Sequence, residues 1–322
     1  MSVSDERTSI VWARPNIWKL VMFRTFRSIA FVIVLALSTG HVSAQDAVPI
    51  KTVMVADGIH MLMGRGGNVA VSTGADGTYV IEDQYASQYE VVKQAIATLS
   101  TDPFKFLVNT HWHSDHTGGN EQMGSNGAII VAHENVRQRV STDQVGEFFN
   151  AERPASPSVA LPIVTFYRDI TFHLNENDVH VFHVRNVHTD GDAVVHFKQA
   201  NVVHTGDVFF HGRYPFIDTG SGGSIQGTIG AVDCILAIAD AETRVIPEHG
   251  ELAYRKGLEE YLVMLKGAQK AMAQLIVAGN SVEQAVLAKP TAAFDAIWGN
   301  GFLKPDVFVK TVYDSIKRST LR

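Results

Sequence analysis

A single cysteine, Cys234, occurs in the 322 residues. No intrachain disulfide can form, although the exported destination argued below would permit one. Cys234 falls within the apolar helical pattern Ile229 to Ile238 and is expected to be a small core residue. Long hydrophobic runs are scarce as well. The run near the N-terminus, Ile29 to Leu37, is much shorter than the roughly 20 residues a membrane-spanning helix needs. Positive charge is in deficit, with a formal net charge of −6. No basic stripe compensates, which argues against nucleic acid or an anionic lipid surface as a partner, and against a nuclease. The 46% hydrophobic and 19% charged composition shows neither disorder nor a fibre. No linker divides the chain after residue 44, so residues 45–322 are expected to form one domain closing in C-terminal helices.

The first 44 residues have the pattern of a secretory signal peptide. Lys19, Arg24 and Arg27 precede the apolar run, and the small-residue site Val42-Ser43-Ala44 follows it. Cleavage is expected after Ala44, giving a periplasmic or secreted protein with no membrane attachment. Met22 is an alternative start that would give a more usual leader length. The leader holds five of the 27 basic and two of the 33 acidic side chains, leaving a mature chain of net charge −9.

Periodicity gives the rest of the layout. Short strands are expected at Thr52 to Ala56 and His60 to Met63, then at Asn68 to Thr73 and Thr78 to Ile81 around the turn Gly74-Ala75-Asp76-Gly77. A helix is expected over Ala86 to Leu99, followed by the strand Phe104 to Asn109. Thr117 or Gly118 is expected to open a short helix, Ala128 to Ala132 to return as a strand, and Glu134 to Phe149 to form a helix. The proline-rich stretch Glu152 to Pro162 reads as a surface loop. Strands follow at Val179 to Val184, Ala193 to Phe197, Val202 to His204 and Arg244 to Ile246. Helices are expected at Ile225 to Ala239, Tyr254 to Ala278, Val282 to Leu287 and Pro305 to Lys317. The two halves are similarly arranged, which suggests two packed sheets with helices outside.

The stretch Thr110-His111-Trp112-His113-Ser114-Asp115-His116-Thr117-Gly118-Gly119-Asn120 is the chemical centre of the sequence. It places three imidazoles and a carboxylate within six residues, directly after the apolar run Phe106-Leu107-Val108. Alternate side chains at a strand end share a face, so His111 and His113 turn to one side. The turn that follows lets Asp115 and His116 diverge toward a second ion. Imidazole and carboxylate are the usual nitrogen and oxygen ligands of catalytic zinc. Three later residues, His188, Asp207 and His249, each follow an apolar strand and join this set. His60, His133, His173, His180, His183, His196 and His204 have no such company and read as structural or surface residues.

The order His-x-His-x-Asp-His, then a distant His, Asp and His, resembles the signature of the metallo-β-lactamase superfamily. The resemblance runs to about residue 265. It implies an α/β fold, a four-layer αβ/βα sandwich with its metal site at one edge between the sheets. By the same resemblance His111, His113 and His188 hold one metal, Asp115, His116 and His249 hold a second, and Asp207 bridges the two. The implied cofactor is two Zn2+, with iron or manganese as alternatives. The best-known lactamase subclass has a cysteine where this chain has Asp207 and a non-ligand where it has His116. The ligand set is therefore closer to the hydroxyacylglutathione hydrolase and lactonase type, whereas export is what a periplasmic lactamase shows.

The implied activity is hydrolysis of a β-lactam, lactone, ester or thioester by a metal-bridging hydroxide, with a small molecule as substrate and no nucleophilic serine or cysteine. Asp115 has a second implied role, orienting that nucleophile. The alternative is a mononuclear iron, persulfide dioxygenase-like redox enzyme of the same superfamily. Ligand imidazoles need their other N–H satisfied, and Asp190, Asp192 and Thr205 are the candidate partners. The segment Phe209 to Asp218 follows Asp207 directly and should rim the pocket. Within it Phe209, Phe210 and Tyr214 are candidates for an apolar wall, His211 for a spare polar group, and Arg213 for bidentate contact with a substrate carboxylate.

Overall fold

The computed structural model describes residues 48–148 and 151–320. The expected leader, its cleavage site after Ala44 and the alternative start at Met22 lie outside the described residues. Two hairpins open the fold, β1 (Lys51–Ala56) with β2 (Ile59–Met63), then β3 (Val69–Ser72) with β4 (Thr78–Ile81). After α1 (Tyr89–Ala97) comes β5 (Phe104–Asn109), which lies parallel to β4. The helix placed at Thr117 or Gly118 opens earlier, as α2 (Ser114–Thr117), and α3 (Asn120–Ser125) follows it. β6 (Ile129–His133) then pairs in parallel with β5.

The helix expected to reach Phe149 is shorter. α4 (Glu134–Val140) stops where the Val140 carbonyl accepts from Ser156 N–H, and β7 (Gln144–Gly146) pairs with β8 (Ala151–Arg153) as a separate hairpin. Strand pairing has overridden the apolar periodicity there, and Phe149 itself lies outside the described residues. The proline-rich stretch thus begins as a strand, before β9 (Val164–Phe166) completes the first sheet in the order β1-β2-β3-β4-β5-β6-β9.

The second half builds a six-stranded sheet from β10 (Asp169–Leu174), β11 (Asn177–His183), β12 (Ala193–Phe197), β13 (Val202–His204), β14 (Arg244–Ile246) and β15 (Ala253–Tyr254). α5 (Ile225–Ile238) carries the chain from β13 to β14, which are parallel. α6 (Arg255–Val277), α7 (Val282–Ala288), α8 (Asp295–Trp298) and α9 (Pro305–Ser319) follow. β15 and α8 were too short to show in the periodicity.

Alternation along the strands divides the core into layers. Val108, Val131, Val181, Val195, Val202 and Ile246 pack between the two sheets. Leu107 and Ile130 face the other way, toward Val92 and Ile96 of α1. Val194, Val203 and Val245 face Val232 and Ile235 of α5 and Leu258, Tyr261 and Leu265 of α6. This is the αβ/βα sandwich. α5 buries Ile225, Thr228, Ala231, Val232 and Ile235, so Cys234 falls on its outer face and is exposed, not a core residue. Burial worth about 1.5–3 kcal/mol per large side chain holds these layers together.

His133 ends β6 and caps α4. Its Nδ1 accepts from Asn135 N–H (3.2 Å) and its Nε2–H donates to the Tyr167 carbonyl (3.1 Å), which requires the neutral ring. Burial, then the stacked His183 ring, pulls its pKa down to about 4. Between that value and the ordinary histidine value near 6.5, the unfolded chain binds a proton that the folded one does not. The stability is therefore intact above about pH 6.5 and is lost as the pH falls toward about 4. The His133→Asn variant keeps a capping side chain and should lose less stability than the parent between about pH 7 and about pH 4.5. Urea midpoints at the two pH values check this, and equal losses would contradict it.

Candidate metal centre

The loops after β5, β13 and β14, with the loop between β11 and β12, bring the seven expected residues together at one edge of the sandwich. One ligand atom from each of His111, His113, His188 and Asp207 lies within 4.8 Å of the others, and the same holds for Asp115, His116 and His249. Asp207 touches both sets. Its Oδ2 stands 3.0 Å from His188 Nε2 and 3.6 Å from His111 Nε2, while its Oδ1 stands 3.4 Å from His249 Nε2. Asp115 Oδ2 lies 3.4 Å from His116 Nε2 and 3.7 Å from His249 Nε2. His111, His116, His188 and Asp207 are buried, and His113, Asp115 and His249 are partly open to a cavity.

The second nitrogen of each ring tells what the first one carries. His188 Nδ1 is 2.8 Å from the Phe216 carbonyl oxygen, a contact that only an N–H satisfies, so Nε2 holds the lone pair. His113 Nε2 faces Asp218 Oδ2 at 3.0 Å, leaving Nδ1 bare by the same reasoning. These two bare nitrogens approach to 2.8 Å, and His111 Nε2 stands 3.2 Å from His113 Nδ1. Lone pairs so arranged repel unless a cation lies among them. Buried polar atoms without a hydrogen-bond partner lie in the same place and include both nitrogens of His116 and Oδ1 of Asp207. The donor set fits one or two borderline-soft divalent cations.

Electrostatics agree. Burial, then the neighbouring histidines, pushes His111 and His188 well below the ordinary range and keeps them in the neutral, ligating form. Burial drives Asp207 well above the usual carboxylate range, as expected of a carboxylate whose counter-charge must come from a cation. For Asp115 burial acts upward, but His116 outweighs it and holds the carboxyl below its usual range. For His116 burial acts downward, and the carboxylates of Asp115 and Glu248 outweigh it, holding the ring well above its usual range.

Neighbouring backbone and side chains fix the loops. Glu82 Oε1 accepts from Thr110 N–H (2.7 Å), Asp83 Oδ1 from Gly119 N–H (2.9 Å), and Gln84 Nε2 donates to the Gly67 carbonyl (2.8 Å). Glu82 and Gln84 hold left-handed backbone at φ 68° and 62°, a conformation costly for these residues that the surrounding contacts sustain. Asn68 donates to the carbonyls of Pro247 (2.7 Å) and Gly250 (2.9 Å), clamping the loop that carries His249.

The three residues expected to partner the ligand rings do other work. Asp192 accepts from the backbone N–H groups of His188 (2.8 Å) and Thr189 (2.7 Å), and burial raises it to about 7. Asp190 forms a two-pronged ion pair with Arg139 at 2.7 Å. Thr205 Oγ1 donates to the Ile246 carbonyl (3.2 Å). The Phe216 carbonyl and Asp218 stand behind the rings of His188 and His113, and Glu82 and Glu248 face Nδ1 of His116 at 3.7 and 3.3 Å. Asp218 closes the segment already singled out as the pocket rim, and Glu248 immediately precedes His249, so position in the motif was a usable signal for both.

A cavity of about 740 Å³ opens over His113, Asp115, Asp207 and His249. Phe210, Phe216, Phe148, Phe302 and Trp112 give it an apolar wall, and Arg213 lines it near His249. Among the described residues Arg213 has no ion-pair or hydrogen-bond partner. Tyr214 also lines the cavity, but its hydroxyl donates to Asp295 Oδ1 (2.7 Å) and its ring stacks on Phe308. Phe209 is not in the wall; it is buried in the core against Tyr261. His211 turns its Nδ1 to the Glu251 carbonyl (2.8 Å), and His204 donates to the Asn68 carbonyl (3.0 Å), a structural role as expected.

Comparison with known proteins agrees with this geometry. Residues 91–249, which include all seven clustered residues, match the family described as "Metallo-beta-lactamase superfamily". Among solved structures, the chain is similar to a metallo-beta-lactamase from Pontibacter korlensis, with 18% identity and a TM-score of 0.55 over 67% of this chain and 99% of that one. The DIM-1 metallo-beta-lactamase gives 17% identity and a TM-score of 0.56 over 69% and 100%. The stereoselective inverting sec-alkylsulfatase Pisa1 from Pseudomonas sp. gives 13% identity and a TM-score of 0.62 over 83% of this chain and 50% of that one. These likenesses establish the fold. Over residues 91–249 the chain thus matches the metallo-β-lactamase superfamily in sequence, and its fold and its buried histidine–aspartate cluster agree with that match.

Proposed function

We propose that this chain is an exported hydrolase that holds two divalent metal ions, with zinc the best fit, and cleaves an activated carbonyl compound such as a β-lactam, lactone, ester or thioester. The observation that carries the reading is Asp207, whose carboxylate lies between the two groups, Oδ2 nearest His188 and Oδ1 near His249. His111, His113 and His188 would hold one ion, Asp115, His116 and His249 the other, and Asp207 would bridge. That second group favours hydrolysis over the mononuclear iron, persulfide dioxygenase-like reading, which has no use for it. Bound there, such a pair supplies Lewis acidity and an activated water at neutral pH.

The protein supplies the rest. Asp218 fixes the ring of His113, and the Phe216 carbonyl fixes that of His188. Asp115 is open enough to the cavity to accept a hydrogen bond from an attacking water and so orient it. Arg213 offers an uncommitted cation at the wall, and Phe210 with its aromatic neighbours offers an apolar surface beside it. A small substrate with an anionic group and an apolar body suits that pairing. Tyr214 lines the wall and keeps its hydroxyl for Asp295.

Four outcomes are expected. His111→Ala should lower both the metal content of the purified protein and its turnover, and unchanged metal content measured by mass spectrometry would refute the assignment. Asp218→Ala should weaken binding of the ion held through His113 by about 10–100-fold in chelator competition. Unchanged affinity would remove Asp218 from the site. Assayed against a β-lactam, a lactone, a thioester and a secondary alkyl sulfate, the zinc-loaded protein should turn over at least one carbonyl substrate. Arg213→Ala should raise KM for its anionic members by about tenfold, with kcat little changed. Turnover of the sulfate alone would replace the carbonyl reading.

A further inference from the structure

The carboxylate of Glu248 has no place in the ligand set, yet it is fully buried against it. Its Oε1 stands 3.3 Å from His116 Nδ1, and neither of its oxygens has a hydrogen-bond partner. His204, the other nearby ring, is 3.9 Å away and already donates to the Asn68 carbonyl. Glu82 Oε2 lies farther from His116, at 3.7 Å, and its other oxygen is engaged by Thr110. The N–H of His116 is thus the donor within reach of Glu248. An unpaired buried carboxylate is costly, so its survival here points to a task.

The loop Gly64-Arg65-Gly66-Gly67-Asn68 is shaped around that contact. A Cβ on Gly67 would stand 1.9 Å from Glu248 Oε1 and 2.7 Å from His116 Cε1. A Cβ on Gly66 would come within 2.8 Å of the Asp115 carbonyl oxygen. Asn68 N–H donates to the Glu248 carbonyl at 2.7 Å, which fixes the glutamate's backbone against the same loop. Two adjacent residues therefore hold Glu248, one by a hydrogen bond and the other by having no side chain.

We propose that Glu248 is the positioning residue for His116. It takes the Nδ1–H, so that Nε2 presents its lone pair toward Asp115 and Asp207, and Gly67 keeps the space for it. The inference rests on the two-ion reading above, because His116 serves the second ion. Glu82 Oε2 faces the same nitrogen at longer range, 3.7 Å. A carboxylate behind a ligating imidazole fixes its tautomer and raises its basicity.

The test uses the full mature protein with Glu248→Gln, Glu248→Leu and Gly67→Ala. Two quantities are read, zinc bound per chain with its chelator-competition affinity, and the His116 tautomer from nitrogen-15 chemical shifts of the ring. Glu248→Gln keeps an acceptor oxygen and should retain the Nδ1–H tautomer and most of the second-ion affinity. Glu248→Leu fills similar space without an acceptor and should lose the tautomer preference, weakening the second ion by about 10–100-fold while the first is kept. Gly67→Ala should follow the leucine variant although it retains the carboxylate. Parent-like tautomer and affinity in Glu248→Leu would overturn the proposal. A parent protein that binds one ion yet shows the Nδ1–H tautomer, lost in Glu248→Leu, would sink the two-ion reading and leave the role of Glu248 standing.

Discussion

Two imidazole nitrogens with their lone pairs turned toward one another repel unless a cation lies between them. In this chain the opposite nitrogen of His188 is engaged by a backbone carbonyl, and that of His113 by the Asp218 carboxylate. Neither ring can relieve the repulsion by moving its proton inward without losing that contact. A cation at the focus turns the conflict into an attraction. Much of the surrounding structure can be understood as the means of keeping those rings aimed while the chain folds around them.

The sandwich accomplishes this by placing chain crossings where rigid strands end. β5, β13 and β14 are short, and each is hydrogen-bonded to neighbours on both sides, so the residues just beyond them leave from fixed points. The loop from Glu82 to Gln84 then ties the histidine stretch to the glycine-rich loop at Gly67, using three buried polar side chains and two left-handed residues. Such strain is tolerated where contacts over-determine the backbone, and it concentrates next to chemistry. The open side of the cluster faces an aromatic cavity lined by Arg213, on loops that vary more freely than the scaffold beneath.

The clustered residues were legible in the sequence because their chemistry is rare in ordinary packing. Four metal-binding side chains within six residues have no bland explanation, and the later three each follow an apolar strand. The sheets were legible for a related reason, since alternation in Val194-Val195 and Val202-Val203 divides neighbours between two cores. What escaped were contacts between residues distant in sequence. Position marked Asp218 as part of the pocket rim but not its meeting with His113 across 105 positions, and nothing local told that Asp192 would serve backbone amides instead of a ring. The helix beyond Val140 failed because pairing of β7 with β8 outweighed local periodicity. Cys234 was misplaced because an apolar stretch in α5 surrounds the helix more completely than its buried face requires.

Anomalous diffraction at the zinc absorption edge, on crystals of the zinc-loaded mature protein, tests the central claim most directly. The account predicts two anomalous peaks, one among His111, His113 and His188 and the other among Asp115, His116 and His249, with Asp207 between them. A single peak, or peaks remote from Asp207, would contradict it.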